Sequence, residues 1–135
     1  MEQSQVASAL GSETQVRSSL LVVFVPNMDR ENQPVLDAGL WAIQCRELFA
    51  RLFGGATQFP GALGSWYDEE NDVMVNEETI LVQSYAPDDQ VTQERIERLA
   101  EFCHRFGRET NQGEVGVLYD GTFHRIRRYR PAPEA

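Results

Sequence analysis

The sequence predicts an α+β fold in which two helices pack on one face of an antiparallel sheet. Three observations carry this prediction: the β-branched run LLVVFV at 20–25, two segments with apolar residues at helical spacing, and an Asp-Gly pair at 120–121 between two strand-like runs. The element order is strand, helix, strand, strand, helix, strand, strand. The first six elements form the ferredoxin-like βαββαβ arrangement, and the seventh is an extra C-terminal hairpin strand.

The first helix is predicted over residues 35–53, where apolar side chains recur every three or four positions. Asn32 is the expected N-cap, with Pro34 in the first turn. Gly54 and Gly55 follow the last apolar residue, and glycine is the usual residue just past a helix end. We therefore expect the helix to stop there.

The middle of the chain is expected to form two strands joined by the polar turn DEEND at 68–72, the second strand running over residues 73–85. A second helix is expected to open at Asp88, because aspartate caps helices and acids suit the positive end of the helix dipole. Gly107 is its candidate C-cap. An antiparallel sheet with both helices on one side leaves its other face wet, ligand-covered or covered by another subunit.

Composition indicates one domain of 135 residues with a net charge of −9. We expect a disordered leader at 1–18, a single α+β domain at 19–130 and a short tail at 131–135. The charge argues against direct DNA binding, and no apolar run is long enough for a membrane span. The cysteines, Cys45 and Cys103, form no CxxC pair and indicate reduced thiols in a cytoplasmic protein.

The glycine-rich segment RLFGGATQFPGALGSW at 51–66 invites a comparison with phosphate-binding loops. Those loops precede a helix, and the P-loop also requires a lysine, a residue type that this chain lacks. Here the glycines follow a helix. Two interpretations stay open: a helix stop followed by a bulged edge strand, and a flap over the sheet with Thr57 and Trp66 at its ends.

The same segment carries a pattern of the form GG-x-T, then G-x-W, then an acidic residue in the next strand. The matching residues here are Gly54, Gly55, Thr57, Gly64, Trp66 and Glu77 or Glu78. In this pattern the chain resembles small bacterial and phage α+β proteins of the ferredoxin-like type, over about its central third. The resemblance implies a fold and no particular activity.

Catalytic candidates are few. Glu78 lies in a predicted strand, and if it faces inward it requires a partner, for which Arg125 and Arg127 are the candidates. His124 in the last hairpin is the better placed of the two histidines for proton transfer. The acids of DEENDVMVNEE lack the central glycine of a calcium loop, so we expect neither a metal nor a cofactor.

The chain's one strongly positive stretch is HRIRRYR at 124–130, and arginine binds carboxylate or phosphate bidentately. The expected ligand-binding residues are Gly55, Thr57, Trp66, Tyr85, Arg125 and Arg127. The leading interpretation is a binding or regulatory module that forms a homo-oligomer, a dimer through its sheet face, and takes a protein partner or a small anionic ligand. The alternative is a small cofactor-independent enzyme with a cleft between sheet and flap, and a third interpretation is an acidic nucleic-acid mimic.

Overall fold

The computed structural model describes residues 1–134 and has the predicted α+β architecture. In chain order its elements are α1 (Gln3–Leu10), β1 (Ser18–Pro26), α2 (Ala38–Phe53), β2 (Thr57–Asp68), β3 (Val73–Pro87), a 3-10 turn (Asp88–Gln90), α3 (Gln93–Glu109), β4 (Val115–Tyr119) and β5 (Thr122–Ile126). The strands form one sheet in the order β2-β3-β1-β4-β5, and every neighbouring pair is antiparallel. The first four strands have the ferredoxin-like order, and β5 extends the sheet beside β4.

The core lies between the sheet and the helices α2 and α3. Side chains alternate across a strand, so Leu21, Val23 and Val25 of β1 point to one face and are almost fully buried there. Phe49 of α2 and Phe106 of α3 cover them from the helical layer. This burial of apolar surface is the main force that holds the two layers together.

The other face of the sheet, which we call the open face, carries no helix. Pairing across the strands places Phe59, Trp66, Tyr85 and Phe123 on it, and these aromatic side chains keep between 44% and 66% of their surface exposed. Gly116 lies beneath the rings of Phe123 and Phe24, and a Cβ at this position would overlap the Phe123 ring. The open face is therefore apolar and substantially exposed, which is unusual for a monomeric protein.

Helix α2 begins later than predicted, with Asp37 rather than Asn32 at its N-cap position. The preceding loop is tightly organised: an Asp29 carboxylate oxygen accepts hydrogen bonds from the backbone N–H groups of Glu31 and Gln33. Asn32 itself has a positive φ of 57°, which suits a turn and not a helix start. Side-chain hydrogen bonds thus hold this segment as a loop, although its proline and asparagine predicted the start of a helix.

Helix α3 also differs from the prediction at both ends. Asp88 opens only the short 3-10 turn, and the helix is capped by Thr92, whose hydroxyl accepts a hydrogen bond from the backbone N–H of Arg95 at 3.3 Å. Gly107 is not the C-cap, because the helix continues through Glu109. The glycine is instead buried beneath the ring of Tyr129, where no side chain fits.

Within residues 1–18, which the sequence predicts as a disordered leader, the structure contains one helix, α1 (Gln3–Leu10). A reciprocal capping box between Glu2 and Gln5 starts this helix, and Gly11 in the left-handed conformation ends it. None of its residues is buried, so local hydrogen bonds and caps define the helix without help from the core. Among the helices within residues 1–134, none combines the length and hydropathy that crossing a bilayer requires.

In the structure, the glycine-rich segment forms a helix stop followed by a bulged edge strand, the first of its two predicted interpretations. Gly54 has a φ of 94° and its backbone N–H bonds to the Ala50 carbonyl, which ends α2. The chain then enters β2, an edge strand whose register with β3 shifts between Phe59 and Ala62. The predicted hairpin after β4 is also present, and Asp120 and Gly121 both have the positive φ values that its tight turn requires.

Candidate functional site

A cavity of about 490 Å³ lies where the β2–β3 hairpin extends past the end of β1. It is lined by Asn27, Met28, Leu63, Gly64, Ser65, Asn76, Glu77 and Glu78. Asn27 and Met28 come directly after β1, and the backbone N–H of Asn27 bonds to the Glu78 carbonyl at 3.1 Å. The loop after β1 is therefore fixed against β3, and both contribute residues to the lining of the cavity.

Glu77 is the most distinctive side chain in this lining. It lies on the open face, on the same side of the sheet as Trp66, and its partner across the ladder is Gly64. Because glycine has no side chain, the space opposite the carboxylate is left free. Partial burial raises the pKa of Glu77 above its ordinary value of 4.5 by desolvation, the only cause of that shift.

Asn27 supplies a second unusual group. Its side-chain Oδ1 is buried and accepts no hydrogen bond from any residue that the structure describes. The backbone of the same residue is satisfied, since its N–H bonds to Glu78 and its carbonyl accepts from Val35 at 2.8 Å. A buried oxygen without a donor costs free energy, and a hydrogen-bond donor that reached this atom would recover that cost.

The electrostatic character of the cavity follows from these groups. The lining includes Glu77 and Glu78, whose side chains leave β3 on opposite faces of the sheet, and it contains no arginine or histidine to balance either carboxylate. The Ser65 hydroxyl is already donated to Asn76 Oδ1 at 2.6 Å. The cavity therefore presents negative charge and carboxylate hydrogen-bond acceptors, and this combination suits a cationic ligand that carries several N–H or O–H donors.

The predicted catalytic and ligand-binding residues do not converge on one point. Glu78 pairs with Leu63 and points to the helical side of the sheet, opposite to Trp66 and Glu77. Tyr85 shares the open face with Trp66 but pairs with Leu20 near the start of β1. Of the predicted set, Glu78 alone lines the cavity, while its neighbour Glu77 is the carboxylate with the altered pKa.

The C-terminal arginines are also placed away from this cavity. Arg125 and Arg127 lie at 3.6 Å and 3.2 Å from the carboxylate of Glu114. The expectation that one of them pairs with Glu78 is therefore wrong, because β1 and β4 separate β5 from β3. His124 is exposed on β5, the outermost strand, and shares no pocket with either glutamate.

Gly55 and Thr57 lie at the start of the edge strand. The Gly55 carbonyl accepts a hydrogen bond from the buried Ser84 hydroxyl at 2.6 Å, which ties the end of α2 to β3. Thr57 is on the open face opposite Gln83, and Trp66 pairs with Val75 near the other end of β2. The two ends of the glycine-rich segment thus belong to one face of the sheet and to different regions of it.

Sequence reasoning missed Asn27, Met28, Ser65 and Asn76, which became neighbours only when the chain folded. One signal was present: Asn27 is the first polar residue after a buried strand, at the strand end where loops commonly build sites. Within residues 1–134, no group of three or more histidine, cysteine, aspartate or glutamate side chains is arranged to hold a metal ion.

Comparison with known proteins finds similarity of structure but no match by sequence. No family model matches the sequence, and no curated protein matches it. Two solved structures share the fold. A phage SAM lyase in complex with S-methyl-5′-thioadenosine has a TM-score of 0.60 at 10% identity, over 87% of this chain and 95% of that chain.

The second of these structures is a phage SAM lyase in the apo state, with a TM-score of 0.54 at 12% identity over 85% of this chain and 93% of that chain. The divalent ion tolerance protein CutA1 from Ehrlichia chaffeensis has a TM-score of 0.44 at 15% identity, over 78% and 81% of the two chains. At these identities the first two similarities establish a shared fold.

Proposed function

We propose that this protein is a small homo-oligomer that binds a cationic nucleoside of the S-adenosylmethionine class in the β2–β3 cavity and cleaves it without a cofactor. One observation carries the proposal: the cavity combines the desolvated Glu77 carboxylate, the buried Asn27 Oδ1 without a donor, and a lining free of positive charge. These groups are complementary to a ligand that is positively charged and rich in hydrogen-bond donors.

S-adenosylmethionine has this chemistry. It carries a sulfonium and an ammonium group, and its ribose hydroxyls and adenine amino group are hydrogen-bond donors. A cavity of about 490 Å³ falls within the usual size range for small-molecule sites. The fold similarity to a phage SAM lyase with bound S-methyl-5′-thioadenosine supports this choice among cationic ligands.

The proposed reaction releases S-methyl-5′-thioadenosine. The bond between sulfur and the four-carbon amino-acid chain breaks, and its electron pair stays on sulfur, which becomes a neutral thioether. Loss of the positive charge from sulfur is favoured in a poorly hydrated environment, and the lining is partly desolvated at Glu77. The four-carbon fragment completes its valence by ring closure through its own carboxylate, or by loss to water of a proton from the carbon next to the broken bond. Its mass distinguishes these outcomes from hydrolysis.

Oligomer formation through the open face belongs to the same proposal. Trp66 and Glu77 lie on that face, so a second copy packed against it would approach the cavity. Contact between two open faces would cover Phe59, Trp66, Tyr85 and Phe123, whose exposure is otherwise unfavourable. It would also remove water from around Glu77 and strengthen its interaction with a bound cation.

The test is incubation of the purified protein with S-adenosylmethionine, with S-methyl-5′-thioadenosine and the four-carbon fragment followed by mass spectrometry. We expect product to accumulate with the wild type, and the Glu77→Gln variant to bind the substrate at least roughly tenfold more weakly because a charged hydrogen-bond partner is lost. Glu70→Gln, in the exposed turn outside the cavity, is the matched control and keeps the wild-type rate. Absence of both binding and product with the wild type overturns the proposal.

A second candidate is the non-catalytic binding module, in which the same cavity holds the cation without cleaving it. The lining favours this candidate in one respect, since it contains no histidine, cysteine or arginine to act as a catalytic group. Both cysteines are buried in the core, and burial raises the pKa of Cys103 to about 12, so its thiol is inert. Saturable binding of S-adenosylmethionine in calorimetry with no product identifies this candidate.

A further inference from the structure

A second cavity, of about 500 Å³, lies in the helical layer on the far side of the sheet from the open face. Its walls are formed by α2 and α3, and Arg130, Pro131 and Pro133 of the C-terminal tail line one side. Its charged lining consists of Arg51, Arg98, Arg105, Arg108, Arg130, Glu47 and Glu101. We call this cavity the arginine groove.

The groove is positive in a chain whose net charge is −9. Five guanidinium groups face two carboxylates, an excess of three positive charges at one place. Within residues 1–134 the ion pairs involve Arg17, Arg125 and Arg127, and none of the five arginines of the groove. Among the described residues, no close ion pair therefore offsets the positive charge of the groove.

Several contacts hold the groove in shape. The Arg105 guanidinium lies 5.0 Å from the centre of the Trp41 ring and donates to Gln44 Oε1 at 2.9 Å. Arg108 donates to the carbonyl of Arg130 at 2.6 Å. These interactions fix two guanidinium groups before any ligand arrives, and preorganisation of this kind reduces the entropy cost of binding.

The pKa and hydrogen bonding of His104 reflect the positive charge around it. Its Nδ1 accepts a hydrogen bond from the Arg130 backbone N–H at 3.0 Å, so the tail is attached to α3 through an unprotonated imidazole nitrogen. Desolvation lowers the pKa of His104, and the charges of Arg130 and Arg108 lower it further. The groove thus disfavours an additional cation and favours an anion.

We propose that the arginine groove binds a phosphorylated small molecule that carries several negative charges. Guanidinium groups match phosphate oxygens bidentately, and their convergence from two helices and the tail suits a compact oligophosphate. The volume of the groove is that of a small-molecule site. A long nucleic acid would place its further phosphates against an acidic surface and is disfavoured.

Inorganic tripolyphosphate is the probe, titrated into the full-length protein by calorimetry at constant ionic strength. The test variant is R51Q/R98Q, because both side chains line the groove, are exposed and make no hydrogen bond to another described residue. The matched control is R95Q/R128Q, which removes the same charge outside the groove. We expect saturable binding to the wild type and the control, and at least a roughly tenfold weaker affinity for the test variant.

Two results overturn the proposal. One is an absence of saturable binding to the wild type, and the other is an equal loss of affinity in both double variants, which indicates a non-specific charge effect. Tryptophan fluorescence gives an independent readout, since Arg105 stacks on Trp41 and a ligand that engages Arg105 changes the surroundings of that ring. A Trp66→Phe background leaves Trp41 as the single tryptophan, and its emission is expected to shift with the same saturation curve.

Discussion

At the scale of single residues, Glu77 links the candidate site to the stability of the fold. Its pKa is raised in the folded protein because burial removes water from the carboxylate. Below the unfolded pKa the carboxylate is protonated in both states, so folding carries no penalty from this group. As the pH rises through the unfolded value and then the folded one, the unfolded state ionises first and the native state loses stability relative to it.

We predict that Glu77→Gln raises the melting temperature at about pH 7 and that this gain shrinks towards zero at about pH 3.5. The amide keeps the shape of the side chain and removes the cost of burying its charge. Thermal unfolding of both proteins across this pH range measures the effect.

Glu78→Gln is the control, since it removes one negative charge from the adjacent position on the other side of the strand. An equal gain in both variants would assign the effect to repulsion within an acidic protein and contradict the desolvation of Glu77. A stabilised Glu77→Gln variant that binds its ligand poorly would show that the site retains a carboxylate at the expense of stability.

At the scale of elements, α3 shows why a glycine does not always end a helix. Gly107 has the sequence signature of a C-cap, yet α3 passes through it to Glu109. The cause lies in the tail: the Tyr129 ring packs directly on Gly107, and its hydroxyl donates to the Gln112 carbonyl at 2.9 Å. The missing side chain therefore creates space for a contact that is remote in sequence.

We predict that Gly107→Ala destabilises the protein by about 1–3 kcal/mol, although alanine is the better helix former, because its Cβ overlaps the Tyr129 ring. Gly39→Ala is the matched control. Gly39 lies in α2 with open space at its Cβ position, so alanine is expected to stabilise the protein by up to about 1 kcal/mol. Urea unfolding of the two variants gives opposite signs if the contact with Tyr129 decides the outcome, and a stabilising Gly107→Ala contradicts it.

The elements themselves were largely predictable. Strand β1, the turn after Asp68 and the Asp120-Gly121 hairpin follow from patterns of two to six neighbouring residues, and the structure has them where expected. Helix starts were missed because Asp29 and Thr92 make side-chain hydrogen bonds that compete with the proline and aspartate signals. The sequence shows which residues can cap a helix, but it does not show which of several competing caps the folded chain uses.

At the scale of the whole molecule, both candidate sites depend on long-range contacts. Asn27 and Glu77 are 50 positions apart and line one cavity because β1 pairs with β3. Arg51 and Arg130 share the arginine groove because α2 and the C-terminal tail both pack beside α3. Sequence reasoning identified the acidic and arginine-rich stretches but could not say which members of each face a common space, since that depends on register.

The apolar open face leads to a prediction about assembly. Soluble monomers rarely leave a broad apolar patch uncovered, and here Phe59, Trp66, Tyr85 and Phe123 are all substantially exposed on one surface. We predict that the protein is a homo-oligomer in solution and that the double variant F59E/W66E is monomeric. Burying two carboxylates without partners costs several kcal/mol and outweighs the gain from apolar contact.

Size-exclusion chromatography with light scattering measures this, at protein concentrations from about 1 to about 100 µM, a range that spans the affinities of typical stable interfaces. Met74→Glu is the control, because Met74 is an exposed apolar side chain of β3 on the opposite side of the sheet. Its mass is expected to match the wild type, and circular dichroism verifies that every variant is folded. A wild type that stays at the mass of one chain throughout the range contradicts assembly through the open face, whereas dissociation by Met74→Glu alone would place the interface on the other side of the hairpin.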